Sequence, residues 1–384
     1  MERSQLFWQT YLNLEKEFLE IAKYIYITDE KTIYSNKKYI TEPCTTQLET
    51  FSPHIADLLI RTCIEIEAIS KELYFNYGGE KNRGDRNLLF DIDCLKLVDI
   101  KCKTHLKEVM VACPSINLTK EENICFKPLK DAHRGQGNDW ERAYQALKHD
   151  RYSSISKGTI KNLLHALGAL YLLNIYYKNN KLTVKYYEVY NMDLSLGSSI
   201  FSVKQPSQKY LLNVVNNQDV TGILTADESP FILKYTDTCY KQILDANKKI
   251  GEEIMSYVLA QPEFKEPEFV QQVLKANQEG KDTTLLSELS KYRLQKKIPT
   301  DLTFEERKRL LVASSEWKSL PNSDRQILRE ENITENNIQE EIENLGIISA
   351  ALIQQRFDNT KWQKAFGNGE CELILDTGDI EYKL

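Results

Sequence analysis

One stretch of the chain, from Asn138 to Arg151, combines residue types that suit phosphate chemistry. Arg142 and His149 lie seven positions apart in it. Seven helical steps return a side chain to within about 20° of the same face, about 10.5 Å further along the axis. A permanently charged guanidinium binds phosphate oxygens, and an imidazole exchanges protons near neutral pH. The spacing therefore predicts a helix face that can bind a phosphodiester and move protons on it.

The same helix needs a second face that holds it in place. Trp140, Tyr144 and Leu147 fall within about 60° of one another on the side opposite Arg142 and His149. A helix from about Asn138 to Tyr152 is therefore predicted to bury its aromatic stripe and to expose the polar pair.

The order of motifs around this helix resembles the HEPN superfamily, whose motif is Arg-x(4–6)-His. The matching features, in chain order, are Phe51–Ile60, Glu65–Lys71, Pro128, Asp139-Trp140, Tyr144, Lys148–Arg151 and the Leu/Ala-rich run from Ile160 to Leu173. They cover about residues 45 to 180. Ala143 follows Arg142, where the most active members of the superfamily usually carry a polar residue.

The resemblance implies a metal-independent endoribonuclease of prokaryotic antiphage defence, abortive infection or a toxin–antitoxin system. The ribose 2′-hydroxyl would attack the adjacent phosphate and leave a 2′,3′-cyclic phosphate. Arg142 and His149 would be catalytic, Lys148 and Arg151 would line the groove, and two copies of the chain would pair to complete the site. An antitoxin or another defence protein is the expected partner. The alternative is a non-catalytic dimerisation or adaptor module in which Arg142 and His149 are a structural surface pair.

The connector before this helix supplies two further basic side chains, His133 and Arg134. They either contact the substrate in the same groove or belong to a solvated loop. Asp139 lies in the first turn of the helix, where a carboxylate stabilises the positive end of the helix dipole. It is therefore predicted to support the helix.

Two carboxylates upstream, Glu65 and Glu67, lie within the apolar face of another predicted helix. An unpaired carboxylate is costly in such a place. Packing of the two helices predicts that one of these carboxylates reaches Arg142 and orients its guanidinium. The alternative is a surface pair of Glu67 with Lys71, four residues further along the helix.

Composition bounds the class of protein. The chain of 384 residues has 41% hydrophobic residues, which predicts a globular protein of about two domains.

Its net charge of −6 provides no general attraction to nucleic acid, so RNA must bind a local basic patch or a dimer groove. The eight cysteines show no Cys-x-x-Cys pair and no metal-like spacing with histidine. Reduced thiols, no metal and no cofactor are therefore predicted.

Two observations favour a cytoplasmic protein without a membrane segment. The first residues, Met1 to Trp8, lack an apolar signal core. The longest apolar run, Leu163 to Tyr177, is interrupted by polar residues and is too short to cross a bilayer.

The hydrophobic pattern predicts a mainly α fold in three segments. Residues 1–180 are expected to form a HEPN-like helical bundle, 181–237 a small antiparallel β element, and 238–384 a C-terminal helical region. Bundle helices are predicted at 7–27, 53–77, 138–152 and 157–177. Ser52 is predicted to cap the second of these, with Pro53 at its first helical position. Strands are predicted at 182–190, 200–203, 210–215 and 231–235. The C-terminal helices are predicted at 238–260, 266–279, 283–295, 303–313 and 335–357, followed by a terminal strand or tail.

Overall fold

The structure is a computed structural model that describes residues 3–35, 38–43, 47–133, 137–211, 222–278, 284–321, 324, 328–366, 369–378 and 380–382. The fold is mainly helical with several small β-sheets, as the sequence predicts at this level. The chain divides into two compact units, Met1–Thr236 with Glu370–Leu384, and Asp237–Gly369. Among the described helices, none has both the length and the apolar character that crossing a lipid bilayer requires.

The first unit is built on long helices that pack against one another. Its helices are α1 (Arg3–Ala22), α2 (Pro53–Asn76), α3 (Lys96–Cys102), α4 (Glu121–Ile124), α5 (Asp139–His149), α6 (Arg151–Ser154) and α7 (Ile160–Lys178). A π-helical turn, Phe90–Leu95, leads into α3. Helix α2 packs along α7, and α1 packs on both. Because α7 is surrounded in this way, it buries residues on nearly all sides, which explains its almost uniformly apolar sequence.

The start of α2 shows how local sequence determines a helix boundary. Ser52 has an extended backbone and its Oγ accepts a hydrogen bond from the Ile55 N–H at 3.2 Å. Pro53 occupies the first helical position, where its missing N–H costs nothing. Both roles were predicted from the sequence, and the observed end at Asn76 lies one residue from the predicted one.

The strands of the first unit are short and come from distant parts of the chain. They are β1 (Ile27–Thr28), β2 (Glu30–Ser35), β3 (Lys38–Pro43), β4 (Val109–Val111), β5 (Ile116–Asn117), β6 (Cys125–Phe126), β7 (Leu182–Lys185), β8 (Phe201–Val203), β9 (Gly222–Ile223), β10 (Phe231–Tyr235), β11 (Glu370–Leu375) and β12 (Glu381–Tyr382). Antiparallel pairing gives the strand orders β10-β11-β7 and β6-β4-β8, and the two-stranded pairs β2-β3 and β9-β12. Strands β1 and β5 are parallel.

Strand β11 changes the predicted division of the chain. Strand β11 lies between β10 and β7, with Leu373 opposite both Leu233 and Leu182. The predicted segments 1–180 and 181–237, apart from residue 237 itself, therefore belong with residues 370–384 to one unit, while the second unit is Asp237–Gly369. Local hydrophobic pattern could not show this, because pairing across more than 130 residues leaves no periodic trace.

Two predicted strands differ from the structure. Only Leu182–Lys185 is extended, and residues Tyr186–Asn191 continue as a 3₁₀-helix. Of the strand predicted at 210–215, Tyr210 and Leu211 are helical, and the rest lies outside the described residues. The predicted strands at 200–203 and 231–235 are present.

Gly158, just before α7, lies close against α2. A Cβ built on Gly158 would lie 2.6 Å from Ala56 Cβ and 2.8 Å from Ala56 Cα. Gly158→Ala is therefore expected to lower the free energy of unfolding by about 2 kcal/mol, because backbone must move to relieve the overlap. Gly84→Ala is the control, since a Cβ there meets nothing within 4 Å. Urea unfolding of both variants measures the difference, and equal stabilities would contradict this packing.

The second unit is helical throughout its described part. Its helices are α8 (Asp237–Leu259), α9 (Pro267–Gln278), α10 (Leu285–Lys297), α11 (Phe304–Ala313), α12 (Ser315–Lys318) and α13 (Ile338–Phe366). Helix α13 packs along α10 and α8. One apolar cluster joins Leu294 with Leu311 and Ile342, and another joins Phe269 with Leu289 and Ala350. The five helices predicted here are present, and α13 extends nine residues beyond its predicted end.

Candidate active site

Helix α5 carries the Arg142/His149 pair and has well-defined ends. The Asn138 side chain accepts a hydrogen bond from the Glu141 N–H, and the Glu141 carboxylate accepts one from the Asn138 N–H, each at 3.1 Å. This capping box satisfies two N–H groups that the helix start would otherwise leave unpaired. The helix ends at His149, three residues before its predicted end, because Asp150 leaves the helical conformation and caps α6.

The aromatic stripe of α5 is buried, as the sequence predicts. Trp140, Tyr144 and Leu147 are all in the core. The Trp140 Nε1–H donates to the Pro128 carbonyl oxygen at 2.9 Å, and the Tyr144 hydroxyl donates to Glu67 Oε1 at 2.8 Å. Burial and these two hydrogen bonds fix the rotation of α5 and leave its other face outward.

Arg142 and His149 are both exposed on that outward face. The Arg142 guanidinium donates to the Gly137 carbonyl oxygen at 3.0 Å and forms an ion pair with Asp139. Asp139 lies in the first turn, as predicted. His149 is the last residue of α5 and has no hydrogen-bond partner among the described residues. One member of the pair is therefore held by its own helix, and the other is open to solvent.

A groove of about 350 Å³ opens beside Arg142. Its lining consists of Glu49, Asp139, Arg142, Ala143, Ser156, Lys157, Thr159, Lys161 and Asn162. Three cationic side chains face two carboxylates, so the groove is locally basic in a chain that is acidic as a whole. Ala143 forms part of the wall, where a longer side chain would fill space. His149 is not among the lining residues, so in one copy of the chain the imidazole lies outside this groove.

Lys157 and Lys161 are the two cationic residues of this groove that the sequence analysis did not predict. They reach it because the start of α7 is tied to the loop before α2. The Ile160 N–H donates to the Thr50 carbonyl oxygen at 3.0 Å, and the Lys161 N–H donates to the Leu48 carbonyl oxygen at 2.9 Å. The sequence does contain a signal for them, since two lysines lie four residues apart at a predicted helix start. It does not show which neighbouring element that helix start packs against.

Lys148 and Arg151, predicted to line the substrate groove, lie on the α2 side of α5 instead. Lys148 Nζ is 3.3 Å from Glu67 Oε1, and Arg151 forms an ion pair with Asp57 at 3.1 Å. Both cations are about half exposed, so each pair contributes little to stability, about 0–1 kcal/mol. Neither is a lining residue of the groove beside Arg142.

The predicted contact of Arg142 with Glu65 or Glu67 is not formed among the described residues. Glu67 binds Tyr144 and Lys148 instead. Glu65 lines a different depression with Arg61 and residues of α1, where partial burial raises the pKa of its carboxyl group. The physical reason is the rotation of α2, which turns Glu65 toward α1 and Glu67 toward the Tyr144 end of α5.

His133 is also directed away from the groove. Its Nε2 lies 3.6 Å from Asp99 Oδ2, while His105 Nδ1 lies 2.8 Å from Asp99 Oδ1. Asp99 additionally accepts hydrogen bonds from the Thr104 hydroxyl and the His105 N–H. The buried Asp99 carboxylate of α3 is thus close to both imidazoles. The spacing of these residues along the chain does not predict either contact. Arg134 lies outside the described residues.

Glu141 makes the stability of this region depend on pH. Burial raises the pKa of its carboxyl group from 4.5 to about 8, although the Asn138 N–H opposes the shift. Between about pH 4.5 and 8 the folded state holds a proton that the unfolded state has lost. The contribution of Glu141 to the free energy of unfolding therefore falls as the pH rises through this window, and levels off above it.

Glu141→Gln removes that proton equilibrium while leaving an amide oxygen for the Asn138 N–H. We expect the variant to be more stable than the wild type at pH 9 by about 2 kcal/mol or more, with the difference vanishing near pH 4.5. Urea unfolding across this range measures it. A difference that stays constant with pH would show that Glu141 is ionised in the folded protein.

Within the described ranges, no three His, Cys, Asp or Glu side chains converge as a metal ion would require. The described cysteines are free thiols. No family model matches the chain, and neither a curated protein nor a solved structure matches it. Function is therefore inferred from the residues and their geometry.

Proposed function

We propose that the chain is a metal-independent, HEPN-type endoribonuclease of prokaryotic defence or of a toxin–antitoxin pair. The observation that carries the proposal is an exposed Arg142 beside a basic groove, with the exposed imidazole of His149 on the same helix face. Arg142, Lys157 and Lys161 would hold phosphate oxygens by charge-assisted hydrogen bonds. The Arg142 guanidinium would exchange the Asp139 carboxylate for phosphate when RNA binds.

The reaction needs two proton transfers. The ribose 2′-hydroxyl loses its proton as its oxygen attacks phosphorus, and the departing 5′-oxygen gains one as its bond to phosphorus breaks. The products are a 2′,3′-cyclic phosphate and a 5′-hydroxyl. One imidazole cannot be base and acid in the same step, so a second group must act. His105 and His133 are both engaged with Asp99.

A second copy of the chain would supply the missing group. Pairing of two α5 faces about a two-fold axis brings two His149 imidazoles and two Arg142 guanidiniums to one cleft. The two grooves would then form a continuous basic channel for the RNA backbone, lined by Arg142, Lys157 and Lys161 of each copy. The second unit, Asp237–Gly369, would recognise a partner such as an antitoxin or another defence protein.

The experiment uses the full chain with structured and unstructured RNA in the presence of a chelator. We expect cleavage without added metal, and fragments that carry 2′,3′-cyclic phosphate and 5′-hydroxyl ends. Fragments with 3′-hydroxyl ends, or cleavage abolished by the chelator, would contradict the proposed chemistry. Light scattering on the same sample measures the oligomeric state, and a strict monomer that cleaves RNA would refute the composite site.

A second candidate function is a non-catalytic binding module. The observation that favours it is the engagement of Arg142 by its own helix, through Asp139 and the Gly137 carbonyl group. In that case the biological effect of the protein would survive His149→Ala and would be lost when the α2–α7 packing is disrupted by Gly158→Ala. Ribonuclease action requires instead that the effect be lost in His149→Ala, which leaves the α2–α7 packing intact.

A further inference from the structure

The second unit contains a polar cavity of about 280 Å³ among α9, α10 and α13. Its lining consists of Gln272, Lys275, Ala276, Glu288, Lys291, Gln295 and Glu343. Six of these seven residues carry amide or charged groups, so the cavity can recognise a ligand by hydrogen bonds and charge.

A buried ion pair forms one wall. The side chains of Lys291 and Glu288 are only 10% and 6% exposed, and Lys291 Nζ donates to Glu288 Oε1 at 3.0 Å. Glu288 Oε2 accepts a hydrogen bond from Gln272 Nε2 at 3.0 Å, so both carboxylate oxygens have partners. The Lys291 ammonium has three N–H donors, and Glu288 is its one acceptor among the described residues. Two donors therefore remain for something in the cavity.

Gly346 of α13 packs against the stem of the side chain that carries this ammonium. A Cβ on Gly346 would lie 2.8 Å from Lys291 Cγ and 3.0 Å from Lys291 Cα. The backbone of α13 therefore packs directly on the stem of Lys291. A charge that is both buried and immobilised is suited to recognising a ligand, since little side-chain freedom is lost on binding.

The charges on the wall select the class of ligand. Lys275 and Lys291 are cationic, and Glu288 and Glu343 are anionic, so the cavity has no net formal charge. A phosphate or nucleotide would face two carboxylates. A nucleobase would find no aromatic lining and only Ala276 as an apolar surface. A molecule with a carboxylate at one end and an ammonium at the other matches both signs.

We propose that this cavity binds a small zwitterion of the size and chemistry of a free α-amino acid. The ligand carboxylate accepts hydrogen bonds from Lys291 and the Gln295 amide, and its ammonium faces Glu343. The cavity volume lies just below the range of about 300–1,000 Å³ that is typical of drug-sized ligands. The cavity therefore suits a smaller molecule, such as a metabolite of about ten heavy atoms.

The test measures binding of free L-amino acids to the full chain by calorimetry and by thermal unfolding. The panel is glycine, alanine, glutamine, glutamate and lysine, each with its N-acetyl and carboxamide derivatives. At least one free amino acid is expected to bind, and each derivative, which lacks one charge, to bind at least about tenfold more weakly. A panel without binding at millimolar concentration, or a derivative that binds as tightly as its parent, would overturn the proposal.

Paired variants locate the site. Glu343→Gln changes an exposed residue and is expected to fold normally and to weaken binding about tenfold. Glu305→Gln, an exposed glutamate on α11 outside the cavity, is the matched control and should bind as the wild type does. Equal binding by wild type and Glu343→Gln, or preferential binding of adenosine or inorganic phosphate, would refute a zwitterion site here.

Discussion

Replacing His149 with alanine is expected to lower the single-turnover rate of RNA cleavage about a thousandfold, the usual size of a lost acid–base group. His149 is exposed at the end of α5 and supports no packing, so the variant should fold as the wild type does. His54→Ala is the matched control, because His54 is exposed in the first turn of α2 and away from the groove. A similar loss in both variants, or in neither, would remove His149 from the mechanism.

Mixing subunits tests whether two imidazoles act together. If one cleft needs His149 from both copies, a mixed dimer of wild-type and His149→Ala chains is inactive. An equal mixture that has exchanged subunits then keeps about a quarter of the wild-type rate, whereas independent sites keep about half. Measured rates near one half would place all the necessary groups in a single copy.

Features decided by neighbouring residues were predictable from the sequence. Ser52 and Pro53 start α2 as expected, and the stripe of Trp140, Tyr144 and Leu147 is buried. Each depends on contacts within a few turns or on the helical period alone. The exposed positions of Arg142 and His149 follow from that same stripe, because burying one face of α5 turns the other outward.

Features decided by packing between distant segments were not predictable. Lys157 and Lys161 join Arg142 because the loop before α2 binds the start of α7. His133 faces Asp99, more than 30 residues earlier, although its sequence neighbour is α5. A helical wheel describes which side of a helix is buried, but it does not describe which element covers that side. The sequence thus predicted the helix that carries Arg142 and His149, but it did not predict the groove beside Arg142.

The largest effect on stability is expected at a buried ion pair that joins Asp376, the residue just after β11, to Lys107 of the same unit. Lys107 Nζ donates to Asp376 Oδ2 at 2.8 Å and to the Ala226 carbonyl oxygen at 2.6 Å, and both charged side chains are fully buried. Asp376 also accepts a hydrogen bond from the Ala226 N–H at 3.0 Å. Burial lowers the pKa of Lys107, and the Asp376 carboxylate opposes that shift.

Asp376→Ala would leave the Lys107 ammonium buried without a counter-charge, so the free energy of unfolding should fall by about 3–5 kcal/mol. Glu20→Ala is the control, because it breaks the exposed pair with Lys23 and should change stability by less than about 1 kcal/mol. The double variant Lys107→Met with Asp376→Leu should recover much of the loss, since it leaves no unpaired charge in the core. Urea unfolding of the four proteins measures these differences. A single variant as stable as the wild type would mean that β11 is held by strand pairing alone.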